Sequence, residues 1–235
     1  MNQQHNNNPV FTPHDLTGKV FTFPMESNQA YVTLTPNVER IFFHLSVCLR
    51  FFSDMQRAQS LFSLSVPTHV DALLLMKSND FYSVSVNNVI AKFWGLDNKP
   101  NVWNSACFTW DAGTGLTQLW INGNPSARKG IDPGGSILGT PKIILGQDQD
   151  IYGGGFHISE TFVGMLSDVH MWDRVLTPTE ILNYSNRAIF PPGNILNWGS
   201  LEYTRVHYVV VESHQFSGSA RDSDYGLEVA YLRQF

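Results

Sequence analysis

The feature that most constrains this chain is its punctuation. Short segments of alternating apolar and polar residues recur along it, separated by turn residues at intervals of about ten, the spacing of an antiparallel sandwich. Lys19-Val20-Phe21-Thr22-Phe23 and Ala30-Tyr31-Val32-Thr33-Leu34 read as strands, and Phe81-Tyr82-Ser83-Val84-Ser85-Val86 alternates cleanly. Asp71 to Met76 is a short apolar run. Leu116 to Ile121 runs into Asn122-Gly123, the dipeptide that favours a tight hairpin because both positions accept a positive φ. Further strands are expected at Lys142 to Gly146, Phe162 to Trp172 and near the C-terminus.

One helix interrupts the pattern. Thr177-Pro178-Thr179-Glu180 places threonine at an N-cap, proline at the first helical position and glutamate at the third, a capping box. Ile181, Leu182 and Tyr184 give it an apolar face, and Pro191-Pro192-Gly193 must stop the chain. The spacing predicts an all-β, two-sheet antiparallel sandwich with one short α-helix.

At 235 residues with 43% hydrophobic content, the chain can bury a substantial core as one large domain. A net charge of −5 leaves no electrostatic footprint for nucleic acid. No apolar run approaches the roughly 20 residues needed to span a bilayer. Residues 1–8 are polar and Asn/Gln-rich, without the apolar core of a secretory signal: either a signal has been removed or the chain carries none. We divide the chain into a flexible N-terminal segment (1–16), a folded domain (17–212) and a Ser-, Gly- and charge-rich C-terminal extension (213–235). The two cysteines, Cys48 and Cys107, lie in apolar strand-like contexts. They read equally as a bond closing a loop of about 60 residues or as two buried thiols.

The chemistry concentrates in Gly146-Gln147-Asp148-Gln149-Asp150. Alternate residues of an extended chain share a face, so Asp148 and Asp150 project together, about 7 Å apart at Cα. Two carboxylates that close repel unless a cation lies between them. Calcium, which takes six to eight hard oxygens including main-chain carbonyls, suits them, and the Gln149 carbonyl is available. Gly153-Gly154-Gly155 lets the chain fold back and return Glu160 to the same place. The pattern is not an EF-hand, because position twelve is Ser159 rather than glutamate. Nor does it match the Glu-x-Asp-x-Glu signature of sandwich-fold glycosidases, which need two carboxylates about 5 Å apart in acid and nucleophile roles. We expect no enzyme activity.

Several segments, in order and at matching spacing, resemble the pentraxin family. They are Phe21-Thr22-Phe23-Pro24-Met25-Glu26-Ser27, Ile143-Ile144-Leu145-Gly146-Gln147-Asp148-Gln149-Asp150 with Gly153-Gly154, Val169-His170-Met171-Trp172-Asp173, and Asn194-Ile195-Leu196-Asn197-Trp198. The resemblance implies a lectin-type jelly roll, a Cys48–Cys107 disulfide and a ring homo-oligomer, pentameric by preference, with a trimer as an alternative. It also implies a secreted pattern-recognition protein of the acute-phase, innate-immune type, which binds polar or phosphorylated surface ligands through calcium on one face.

The same resemblance implies a metal set of Asp71, Asp148, Gln149 through its carbonyl, Asp150 and Glu160. It also marks departures. Val70 stands where the family has an oxygen ligand, and His157 where it has a glutamate. Asp148 is one methylene shorter than the usual glutamate, and Glu160 replaces a glutamine. We therefore expect one calcium ion held adequately and a second weakly or not at all. The family's choline pocket maps to Met76 and Ala91, without the distal carboxylate, so phosphocholine binding should be weak or absent. The alternative reading is a degenerate module that acts through calcium-independent protein contacts.

Overall fold

A computed structural model describes residues 12–36 and 40–214. In chain order the strands are β1 (Lys19–Phe23), β2 (Tyr31–Thr35), β3 (His44–Phe52), β4 (Gln59–Val66), β5 (His69–Lys77), β6 (Phe81–Val86), β7 (Val89–Trp94), β8 (Asn104–Asp111), β9 (Leu116–Ile121), β10 (Asn124–Pro125), β11 (Lys129–Gly130), β12 (Lys142–Leu145), β13 (Gly164–Trp172), β14 (Glu202–Val206) and β15 (Val210–Ser213). The helix α1 spans Pro178–Ser185.

Two antiparallel sheets form the sandwich. One runs β10-β9-β8-β3-β13-β1-β15 with β11 paired to β9, and the other runs β14-β2-β12-β4-β5-β6-β7. Their inner faces interdigitate around Phe21, Phe51, Phe62, Trp110, Leu145, Phe162 and Trp198. Burying such side chains is the main favourable term for a sheet pair of this kind. Among the described residues no helix is long and apolar enough to cross a membrane.

Turn chemistry sets the registers. Asn122 and Gly123 both have positive φ (52° and 79°), and Ile121 pairs with Asn124, the hairpin the dipeptide predicts. The β6–β7 hairpin uses the same geometry without glycine: Asn87 and Asn88 sit at φ 48° and 65°, and Val86 pairs with Val89. Asparagine tolerates this conformation better than other residues with a Cβ.

Cys48 and Cys107 lie directly opposite each other on β3 and β8 and are disulfide-bonded. The bond sits in a second apolar cluster with Trp120, Trp172, Leu176, Ile181 and Tyr184, so it lies under α1. The capping box forms as predicted. Thr177 Oγ1 accepts from the Glu180 N–H at 3.3 Å, and the Glu180 carboxylate accepts from the Thr177 N–H at 2.8 Å. At the other end of the helix the buried Arg50 guanidinium donates to the carbonyls of Tyr184 and Ser185 and pairs with Asp168 at 3.1 Å. This satisfies carbonyls that a helix C-terminus otherwise leaves open.

The ends of the chain bear on the segments assigned above. Leu16 is buried and His14 bridges to Leu201, so residues 14–16 lie against the sandwich. Ser213 ends β15, paired to Lys19. Residues 1–11 and 215–235, which hold most of the two terminal segments, lie outside the described residues.

Candidate metal centre

The site is an excursion from the second sheet. β12 lies between β2 and β4, and its chain turns at Gly146. Gly146 has φ 90°, and a Cβ there would lie 2.4 Å from the Phe23 ring, so this turn requires glycine. The Phe162 N–H donates to the Gly146 carbonyl at 2.9 Å, which closes the excursion from 147 to 161 at its base. Phe162 is buried there, edge-on to Phe23.

Alternation then sorts the side chains. Gln147 and Gln149 turn inward and are almost wholly buried. The Gln147 amide donates to the carbonyls of Ser27 and Ala30 at 2.6 and 2.7 Å. The Gln149 amide donates to Ser63 O and Oγ at 3.1 Å and to Lys142 O at 3.0 Å, while its Oε1 accepts from the Gly153 N–H at 3.0 Å. These bonds hold the strap down, so Asp148 and Asp150 take the other side. Paired bonds between Ile151 and Gly154, at 2.9 and 3.2 Å, reverse the chain. A 3₁₀ turn at Ile158–Glu160 ends the return limb, and Arg57 anchors it by donating to Ser159 O at 3.1 Å and Thr161 O at 2.8 Å while pairing with Glu26.

Electrostatics tie four carboxylates into one group. Asp148 is 7% exposed, its Oδ1 has no hydrogen-bond partner, and burial followed by the charges of Asp71, Glu160 and Asp150 pushes its pKa up to about 7. Burial, then Asp150 and Glu160, raises Asp71. Burial, then Asp150, raises Glu160, against a lowering by His157. A cation among them would relieve each of these charge penalties at once, and hard oxygen donors suit calcium. The buried, unpartnered oxygen of Asp148 is the atom such an ion would satisfy. Among the described residues, however, no three His, Cys, Asp or Glu side chains are arranged closely enough to hold a metal by themselves. Main-chain carbonyls and small movements of Asp150, nearly half exposed, would have to complete the set.

His157 Nε2 stands 3.5 Å from Asp150 Oδ2, so it faces the acidic group without adding an oxygen. Val70 adds none either. Asn88 is among the supporting residues that escaped sequence reading. Asn88, in the β6–β7 turn, accepts the Asp71 N–H on its Oδ1 and donates its own N–H to the Asp71 carbonyl, both at 3.0 Å. Adjacent asparagines between two alternating runs were the available signal.

Met76 lies farther along β5, half-buried and opposite Ser83. The expectation for Ala91 is corrected. Ala91 pairs with Val84 and packs into the core, so it cannot line a ligand pocket. Lys92 is opposite Ser83, in line with Met76, and its ammonium lies 4.7 Å from the Phe81 ring centroid.

Comparison with known proteins agrees with this architecture. The model of the Pentaxin family matches residues 19–213. Serum amyloid P-component of Rattus norvegicus is 39% identical over 213 residues, covering 90% of this chain and 92% of the relative. C-reactive protein of Sus scrofa is 38% identical over 198 residues, covering 83% and 86%. The crystal structure of a heptameric SAP-like pentraxin from Limulus polyphemus superposes with a TM-score of 0.76 at 22% identity, covering 85% of this chain and 97% of that one, which speaks to the fold. With the family match spanning the whole sandwich, acidic excursion and capped helix included, this chain belongs to the pentraxin family.

Proposed function

We propose that this protein is a secreted, oligomeric recognition protein of innate immunity that takes up polar or phosphorylated surface ligands through calcium at the acidic excursion. The observation that supports this most is Asp148, a buried carboxyl with an unpartnered oxygen among three further carboxylates that raise its pKa. In this reading Asp71, Asp148, Asp150 and Glu160 supply carboxylate oxygens and Gln149 its main-chain carbonyl. Bound calcium would supply a positive centre for ligand oxygens. The chain's own part is positional: the Gln147 and Gln149 amides, Arg57 and Asn88 fix the backbone that presents the carboxylates.

With Val70 and His157 in place of oxygen donors, one ion is held adequately and a second weakly or not at all. Phosphocholine binding is weak, because among the described residues no carboxylate stands by Met76 to attract a quaternary ammonium. The serum origin in the name of the rat relative supports secretion, and the heptameric Limulus pentraxin supports a ring of identical subunits. We favour a pentamer, with a trimer as the alternative. Several weak sites on one ring would gain avidity from simultaneous engagement.

A second reading has one observation in its favour: no three metal-ligating side chains converge among the described residues. It makes the chain a calcium-independent module acting through protein contacts. Calorimetric titration with calcium, alongside proteolysis of the 148–160 loop with and without chelator, separates the two. Heat of binding and protection of the loop are expected. Their absence at millimolar calcium would establish the second reading.

A further inference from the structure

Lys77, the last residue of β5, is 2% exposed. Its ammonium donates to the Met55 carbonyl at 2.9 Å, and among the described residues it joins no ion pair. An ammonium has three donors, so two are left over, and a buried charge without a counter-ion is costly. Burial accordingly holds its pKa below the usual lysine range. A methionine here would fill similar space without that penalty.

Lys77 also lines a polar cavity of about 220 Å³, together with Gln56, Asn79, Asp80, Asn98 and Pro100. Three connections meet there: β3–β4, β5–β6 and β7–β8. Its wall is fixed, because the Asn98 amide donates to the carbonyls of Ser78 and Asn79, and the Tyr82 hydroxyl donates to Asp97 O at 2.8 Å. Asn98 thus has no amide hydrogen to spare. Gln56 and Asn79 are exposed at the rim.

We propose that this cavity binds the terminal oxyanion of a small polar molecule, with the Lys77 ammonium as its anchor and the Gln56 and Asn79 amides as rim donors. Asp80, also exposed at the rim, opposes a second negative charge. The site therefore prefers a monoanionic carboxylate to a dianionic phosphate. It is separate from the acidic excursion and needs no calcium.

The test uses the full chain stripped of calcium and then dialysed free of chelator, whose own carboxylates would compete, so its outcome is independent of the calcium reading. The side-chain nitrogen resonance of Lys77 is followed while acetate, glucuronate or inorganic phosphate replaces chloride at constant ionic strength. A saturable shift in roughly the millimolar range is expected for acetate and glucuronate, and a weaker response for phosphate. Tighter binding of glucuronate than acetate assigns the oxyanion to a sugar, whereas equal binding assigns it to a free ion. Lys77→Met should abolish binding observed from the ligand side, and Asp80→Asn should strengthen the phosphate response several-fold. No saturable Lys77 response to any probe, or full binding retained in Lys77→Met, overturns the proposal. If Lys77→Met does not fold, the wild-type titration decides alone. Loss of all binding in Asp80→Asn would also overturn it, since Asp80 would then be a contact rather than a barrier.

Discussion

The Gln149 amide reaches two oxygens of Ser63, the carbonyl and the hydroxyl, each at 3.1 Å, from a position with no solvent exposure. This tie joins the acidic excursion to β4, at the middle of the second sheet. Replacing Gln149 with leucine keeps the bulk and leaves the Lys142 carbonyl and the Gly153 N–H without their partner. We expect a loss of roughly 2–3 kcal/mol in urea denaturation. Calcium affinity should fall as well, although the side chain is no ligand, because the backbone presenting Asp148 and Asp150 is released.

Asp148→Asn should behave in the opposite way without metal. It removes a buried charge that repels Asp71, Asp150 and Glu160. In chelator at neutral pH the variant should be more stable than wild type by about 1–3 kcal/mol. Its calcium response in calorimetry should be lost. A calcium response equal to that of wild type would remove Asp148 from the ligand set.

His170 gives a pH dependence. It is 6% exposed, packed among Trp172, Tyr184 and Phe190, and its Nδ1 accepts from the Gly193 N–H at 3.3 Å. Burial lowers its pKa from 6.5 to about 4, so the folded state resists protonation while the unfolded chain accepts it. The contribution is complete above pH 6.5 and drains away between pH 6.5 and about 4. It amounts to at most about 3 kcal/mol. The urea midpoint should fall over that window and fall less in His170→Gln. An imidazole nitrogen spectrum at pH 5 should still report a neutral ring.

The disulfide should affect the two sheets unequally. Cys48 and Cys107 are 59 residues apart in sequence, which gives roughly 4 kcal/mol in the chain-entropy model. The double alanine variant should lose about that much by denaturation. Since the bond lies under α1 and the acidic excursion leaves the other sheet, calcium binding measured on the folded variant should be unchanged.

What was legible in the sequence was local. Asp148 and Asp150 announced themselves by spacing, Asn122-Gly123 by its tolerance of positive φ, and Thr177-Pro178 with Glu180 by reciprocal capping. Each rests on residues a few positions apart. β4 was not read as a strand, although Phe62-Ser63-Leu64-Ser65-Val66 alternates; its serine face is buried rather than open to solvent. Ala91 was misplaced because its face depends on the register of β6 against β7, and one residue of slip reverses every side chain. The supports of the site, Ser63, Arg57 and Asn88, come from other strands and turns. Only the fold brings them to the excursion.

The bond between Gly146 O and Phe162 N has an evolutionary consequence. A loop pinned at its base confines change: exposed positions between the pins, away from the buried Gln147 and Gln149, can be exchanged while β12 and β13 keep their register. His157, largely exposed, is such a position: a substitution there leaves the buried ties of the loop in place.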